Sequence, residues 1–223
     1  MQSYRIIPLL SLSCLLIAAG ARADTYIRDN TLHSSTLALT VTVSPSFRYL
    51  GELEYRVAMP APDGGKEISQ ETRSYVFIDA EGDRLKRIVY LLIRPELSPL
   101  QANLVGQLIG DLEFGVCDLA DTDYQCATRL ISSGGTEPLA HYIHEEGYLV
   151  PPCLLEKSFA RLERAEGRYL TILFYLEDTS SAVLNCQTWK DESHLTKQQR
   201  KYLNHFDLRC LDAFDLYSTK PVD

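Results

Sequence analysis

The chain has 223 residues, 45% of them hydrophobic and 23% charged, with 22 Lys and Arg against 30 Asp and Glu, a formal charge of −8 and six Cys. That acidic, moderately apolar balance excludes a basic nucleic-acid binder, a disordered polyelectrolyte and a multi-span membrane protein.

The first 23 residues have the layout of a cleaved export signal. Arg5 supplies the positive start, residues 6–19 the apolar run, and Ala21-Arg22-Ala23 the small residues before a cut at Asp24. The run is too short to span a bilayer as a stable helix, which takes about 20 residues. Ser11 stands where a lipidated Cys14 would have Leu, and apolar residues continue past Cys14, so lipidation is not expected. Cleavage removes Arg5, Arg22 and Cys14, leaving 20 basic against 30 acidic groups, a charge of −10 and five Cys. Residues 24–223 contain no further membrane-length apolar window and no long breaker-rich linker. One soluble globular domain, periplasmic or secreted, is expected, with no transmembrane segment and no nucleic-acid partner.

The first half of that domain reads as strands. Leu37, Leu39, Val41 and Val43 alternate with polar or small residues, and Phe47, Tyr49, Leu53, Tyr55 and Val57 repeat the pattern across Gly51. Residues 72–78 and 85–93 flank Asp79-Ala80-Glu81-Gly82-Asp83, a hairpin signal. The run Ile88-Val89-Tyr90-Leu91-Leu92-Ile93 is apolar on both faces and is therefore expected at the centre of a sheet. Ser98 and Pro99 predict the start of a helix striped by Leu100, Leu104 and Leu108. Residues 110–135 read as loop. Thr136 is expected to cap a short helix over 137–146, stopped by Gly147.

The second half returns to strands, 159–164 and 168–177, around Ala165-Glu166-Gly167; residues 169–176 are again apolar on both faces. Thr196 and Gln199 form a capping box for a last helix. On that helix Gln199, Leu203, Phe206, Cys210, Ala213, Phe214 and Tyr217 fall in one arc of about 100°. The expected fold is α+β: a mainly antiparallel sheet built from hairpins, packed by a long C-terminal helix and two shorter ones.

Three groups of residues carry possible chemistry. His141, His144 and Glu145 share one side of the short helix, where they would present metal ligands or catalytic groups; Leu139 and Ile143 on the opposite side make that the solvent side. Asp118, Asp121 and Asp123 crowd one loop as weak Ca²⁺ ligands, without the Gly and terminal Glu of an EF-hand. Tyrosine is abundant, 13 against one Trp, and Tyr49, Tyr55, Tyr90 and Tyr175 on strands are candidates to line a site for an amphipathic ligand. Gly-x-Ser-x-Gly, Cys-x-x-Cys, Gly-x-Gly-x-x-Gly and Walker patterns are absent, so no cofactor is expected.

Of the five mature cysteines, Cys117 and Cys126 make the best local disulfide. Cys153, Cys186 and Cys210 leave their pairing open, with one thiol over. Cys210, on the core side of the last helix, suits a quiet role, and Cys153, after Pro151-Pro152, is the thiol expected to face a partner. The sequence thus favours an exported, non-enzymatic binding or interaction module for a small amphipathic ligand or an envelope protein. A hydrolase or metal-dependent enzyme centred on His141, His144 and Glu145 is one alternative. An accessory structural subunit of an envelope assembly is the other, hinted at by Leu208 and Leu211 off the main helix face.

Overall fold

The computed structural model describes residues 25–59, 67–95, 112–132, 138–165, 167–179, 186 and 195–218. The export signal, the helix expected from Ser98 and the cap at Thr136 lie outside those residues.

Alternation in the N-terminal segment becomes three short strands, β1 (Thr25–Arg28), β2 (Thr31–Ser34) and β3 (Leu39–Val43). Asp29 and Asn30, at φ 49° and 56°, make the tight turn between the first two, a backbone conformation that Asp and Asn tolerate. Leu32, Leu39, Val41 and Val43 point one way and are buried.

The longer strands are β4 (Arg48–Met59), β5 (Ile68–Glu81) and β6 (Arg84–Pro95), then β7 (Glu113–Asp118), β8 (Asp123–Ser132), β9 (Cys153–Ala165) and β10 (Gly167–Asp178). They pair antiparallel in the order β4-β5-β6-β10-β9-β8-β7. The two runs that are apolar on both faces, in β6 and β10, sit side by side in the middle, as two-sided burial requires. A bulge between Tyr49 and Gly51 shifts the β4–β5 register by one residue.

Within the stretch expected to be loop, the described residues 112–132 are mainly strand. They hold the β7–β8 hairpin, closed by Ala120 and Asp121 at φ 54° and 57°. The acidic turn and the exposed first strand mask a real alternation: Cys126, Thr128 and Leu130 face one way, and Ala127 and Arg129 the other.

Two helices occur among the described residues, α1 (Leu139–Glu145) and α2 (Lys197–Leu211). Thr196 caps α2 through the reciprocal Thr–Gln bonds its sequence predicts. The helix is not a long C-terminal one. It has 15 residues and stops at Leu211. After a turn at Asp212 and Ala213 the chain becomes β11 (Phe214–Ser218), paired with β3 in a second sheet of order β1-β2-β3-β11. Phe214 and Leu216, two residues apart, lie on one face of a strand and meet Val43 and Val41 across the pair, which a continued helix would forgo.

These pieces form layers. One face of the seven-stranded sheet, the inner face, packs Tyr75, Phe77, Leu91, Phe159, Leu173 and Tyr175 against the four-stranded sheet and against Leu203, Phe206 and Cys210 of α2. On the outer face, Val76, Ile78, Ile88, Leu154 and Leu176 pack with Leu139 and Ile143 of α1. Gly147, at φ 88°, ends α1; its N–H bonds His144 O at 2.9 Å and the next N–H, from Tyr148, bonds Ile143 O at 3.1 Å. Gly51 on β4 lies so close under the Tyr142 hydroxyl that a Cβ there would collide with it. Among the described residues no helix is long and apolar enough to cross a membrane.

Candidate functional site

A cleft of about 200 Å³ opens between the two sheets at the β1–β2 end. Its floor is the inner face of the large sheet: Glu71, Arg73 and Tyr75 from β5, Ile93 and Pro95 from β6, and Tyr169 from β10. The register explains the convergence, since Arg73 pairs with Ile93, Ile93 with Thr171 and Pro95 with Tyr169. The roof is Thr25, Ser34, Thr36 and Leu37. Thr25 donates to Ser34 Oγ at 3.0 Å, and Leu37 N–H bonds the same oxygen at 3.4 Å.

Two features give the cleft its chemistry. Arg73 is already neutralised, with Glu52 at 2.7 Å and Glu54 at 2.8 Å, so the site does not call for an anion. The Tyr75 hydroxyl is buried and makes no hydrogen bond among the described residues, although Arg73 and Thr25 are its polar neighbours. Burial raises the Tyr75 pKa above the usual phenol range, so the group is a neutral donor and acceptor. An unsatisfied buried hydroxyl costs about 1–3 kcal/mol.

The tyrosines expected to line a site fall on opposite faces. Tyr49 and Tyr175 are on the inner face and Tyr55 and Tyr90 on the outer. Tyr49 packs on Phe77 with ring centres 5.1 Å apart, and burial together with Glu52 pushes its pKa to about 12. Tyr175 bonds Glu177 at 2.8 Å and packs on Phe206, so its place is at the seat of α2 rather than in the cleft. Tyr90 stacks on Phe174 at 4.3 Å. Burial raises both Tyr55 and Tyr90.

The outer face also holds groups that the sequence did not single out. Gln70, Thr72 and Ser74 follow one another along β5, all buried, and Gln70 Oε1, Thr72 Oγ1 and Ser74 Oγ have no hydrogen-bond partner among the described residues. Two strands beyond β6, Glu156 is 2% exposed and bonds Arg129 Nε at 2.6 Å. Burial raises its pKa above the ordinary carboxyl range, opposed by Arg129. The only sequence signal for this pair was a carboxylate and a guanidinium in otherwise apolar alternation.

His141 and His144 lie on the solvent side of α1, opposite buried Leu139 and Ile143. His141 pairs with Glu145 at 3.2 Å, both largely exposed. Among the described residues no three His, Cys, Asp or Glu side chains are placed to hold a metal ion. Asp118 accepts a bond from Thr122 N–H at 3.1 Å, which locks the hairpin turn; Asp121 and Asp123 stand exposed beside it. A second, open groove of about 500 Å³ runs past Asp29, Asp212 and Asp215 at the far end of the small sheet. It contains no unsatisfied buried group among the described residues.

Cys117 and Cys126 are bonded, as their spacing suggests, with Cα atoms 6.1 Å apart. Cys153 is not a partner-facing thiol. It is buried and bonded to Cys186, with Cα atoms 5.7 Å apart, because the strand that follows Pro151-Pro152 runs straight into the core. The free thiol among the described residues is Cys210, fully buried under α2, and burial pushes its pKa far up. No protein-family model, curated protein or solved structure matches this chain.

Proposed function

We propose that this chain is a non-enzymatic binding protein of an exported, oxidising compartment that takes a small amphipathic molecule in the cleft between its two sheets. The observation that supports the reading is the cleft itself, about 200 Å³, walled by Leu37, Ile93, Pro95 and the tyrosines Tyr75 and Tyr169, with Thr25 and Thr36 among its hydroxyl groups. A dry apolar cavity of about 150 Å³ accepts a ring the size of benzene. A ligand with a ring-sized apolar part against Leu37, Ile93 and Pro95, and a hydrogen-bonding polar head meeting Thr25, Thr36 or Glu71, suits both the volume and the chemistry. The two disulfides support the compartment, since such bonds persist where the surroundings oxidise.

Native mass spectrometry of the protein taken from its own compartment tests this. A retained small-molecule mass is expected, lost in Thr36→Trp, which fills the cleft from a turn. A clean apo monomer would sink the proposal. The exposure of Leu208 and Leu211, 60% and 50%, favours a second reading as an accessory subunit gripped through the solvent side of α2. In that case Leu208→Glu with Leu211→Glu would release the protein from its assembly without lowering its melting temperature; an unchanged assembly would discard the reading.

A further inference from the structure

We propose that β7 is an open docking edge that accepts an extended, basic-flanked segment of another protein as an added strand of the large sheet. Among the described residues β7 pairs with β8 on one side only and ends the sheet. An unpaired edge offers a row of free N–H and C=O groups, and proteins normally guard such rows with charges, bulges or proline. The opposite edge, β4, is guarded in this way: it carries the Tyr49/Gly51 bulge, and its Glu52 and Glu54 are tied to Arg73. β7 has no such guard along its middle. Phe114 and Val116 project from its outer face, 53% and 71% exposed, with Gly115 open between them. Two side chains at i and i+2 sit about 7 Å apart on one face, the spacing at which an added strand presents its own alternate side chains. The Cys117–Cys126 bond on the inner face rivets this edge to β8, so the edge is held ready rather than loose.

Charge selects the occupant. Glu113 stands at one end of β7 and Asp118 at the other, with Asp121 and Asp123 beside it. Lys157, the cation near Glu113 at 3.9 Å, is held more closely by Asp207 at 2.6 Å. A second copy of this chain paired antiparallel would bring Glu113 against the other copy's Asp118, and a parallel copy would align like with like; both repel. A foreign strand with alternating β-branched residues and Lys or Arg at its ends meets no such penalty. The inference is independent of the cleft.

The test is calorimetric titration of the full chain with a synthetic peptide of alternating Val and Thr with paired Lys at both ends. Saturable binding is expected, weakened about tenfold or more by Phe114→Lys with Val116→Lys and by Glu in place of the peptide's Lys, with slowed amide exchange along β7. The double variant places guards on an exposed edge, so its melting temperature should match the parent. No binding of the Lys-flanked peptide, equal binding of the Glu-flanked one, binding intact in the double variant, or a dimer that the double variant abolishes would each overturn the proposal.

Discussion

The two faces of the seven-stranded sheet come from the same strands, yet among the described residues they leave different numbers of buried oxygens without a partner. On the inner face the polar groups find partners. Glu177 receives Arg209 on both oxygens at 2.7 and 2.8 Å, together with the hydroxyls of Tyr175 and Tyr202, and Lys157 reaches Asp207 at 2.6 Å. Half of these groups arrive on α2, so the helix brings both its apolar stripe and the partners for the sheet's charges. On the outer face Gln70, Thr72 and Ser74 each bury an oxygen without a partner among the described residues. Among the described residues the inner face has one such atom, the Tyr75 hydroxyl, shut away behind a ring that lines the cleft. A satisfied face carries stability, while an unsatisfied buried group marks a place where stability has been given up.

That contrast can be broken most forcefully at Phe206, which is fully buried against Tyr175. Phe206→Ala is expected to cost about 3–5 kcal/mol in urea unfolding, through lost contacts and the cavity left between helix and sheet. A loss under about 1 kcal/mol would mean that α2 is not the inner face's anchor. Replacing Cys153 and Cys186 together by Ser opens a loop of 33 residues and is expected to cost about 3–4 kcal/mol. Melting with and without reductant measures it, and the double variant should lose its response to reductant in proportion.

On the outer face the sign should reverse. Thr72→Val keeps the shape and deletes an unpartnered hydroxyl, so a gain of about 1 kcal/mol is expected. A destabilised Thr72→Val would show that the hydroxyl has a use after all. The smallest effect concerns Glu156. Its raised folded pKa means that the folded state holds the proton more tightly than the unfolded chain does. Its contribution is thus complete below the ordinary carboxyl range and fades as pH rises through the raised value. As pH rises from the ordinary carboxyl value of about 4 through the raised one, the parent should lose stability relative to Glu156→Gln, whose amide does not titrate. Parallel urea curves across that range check the slope, and an opposite slope would show that Arg129 outweighs burial.

Much of this fold was legible in the chain because its signals are local. The β5–β6 and β9–β10 hairpins, the capping box at Thr196, the stop at Gly147 and the Cys117–Cys126 bond each depend on residues within a few positions of one another. The cleft was not legible. Tyr75 and Ile93 share one hairpin, but Tyr169 joins them from a strand far along the chain and the roof comes from the other sheet, and nothing in the alternation of β5 marks Tyr75 as a cleft residue. The β7–β8 hairpin was missed because an edge strand, open to water along most of its length, carries a weak apolar pattern.

The chain's own residues settle the periodicities, the caps and the centrality of the two doubly apolar strands, since those follow from backbone geometry and from removing apolar side chains from water. Three-dimensional packing alone decides which partner each long-range group receives. Phe214 could extend a helix or pair as a strand by its local arc, and β3 beside it chooses the strand. Cys153 could face outward after its two prolines, and Cys186 draws it into the core. Tyr49, Tyr55, Tyr90 and Tyr175 share a residue type but not a face, because strand parity and the bulge at Gly51 set where each one points. Partner choice of this kind depends on distance in space, which a linear pattern does not encode.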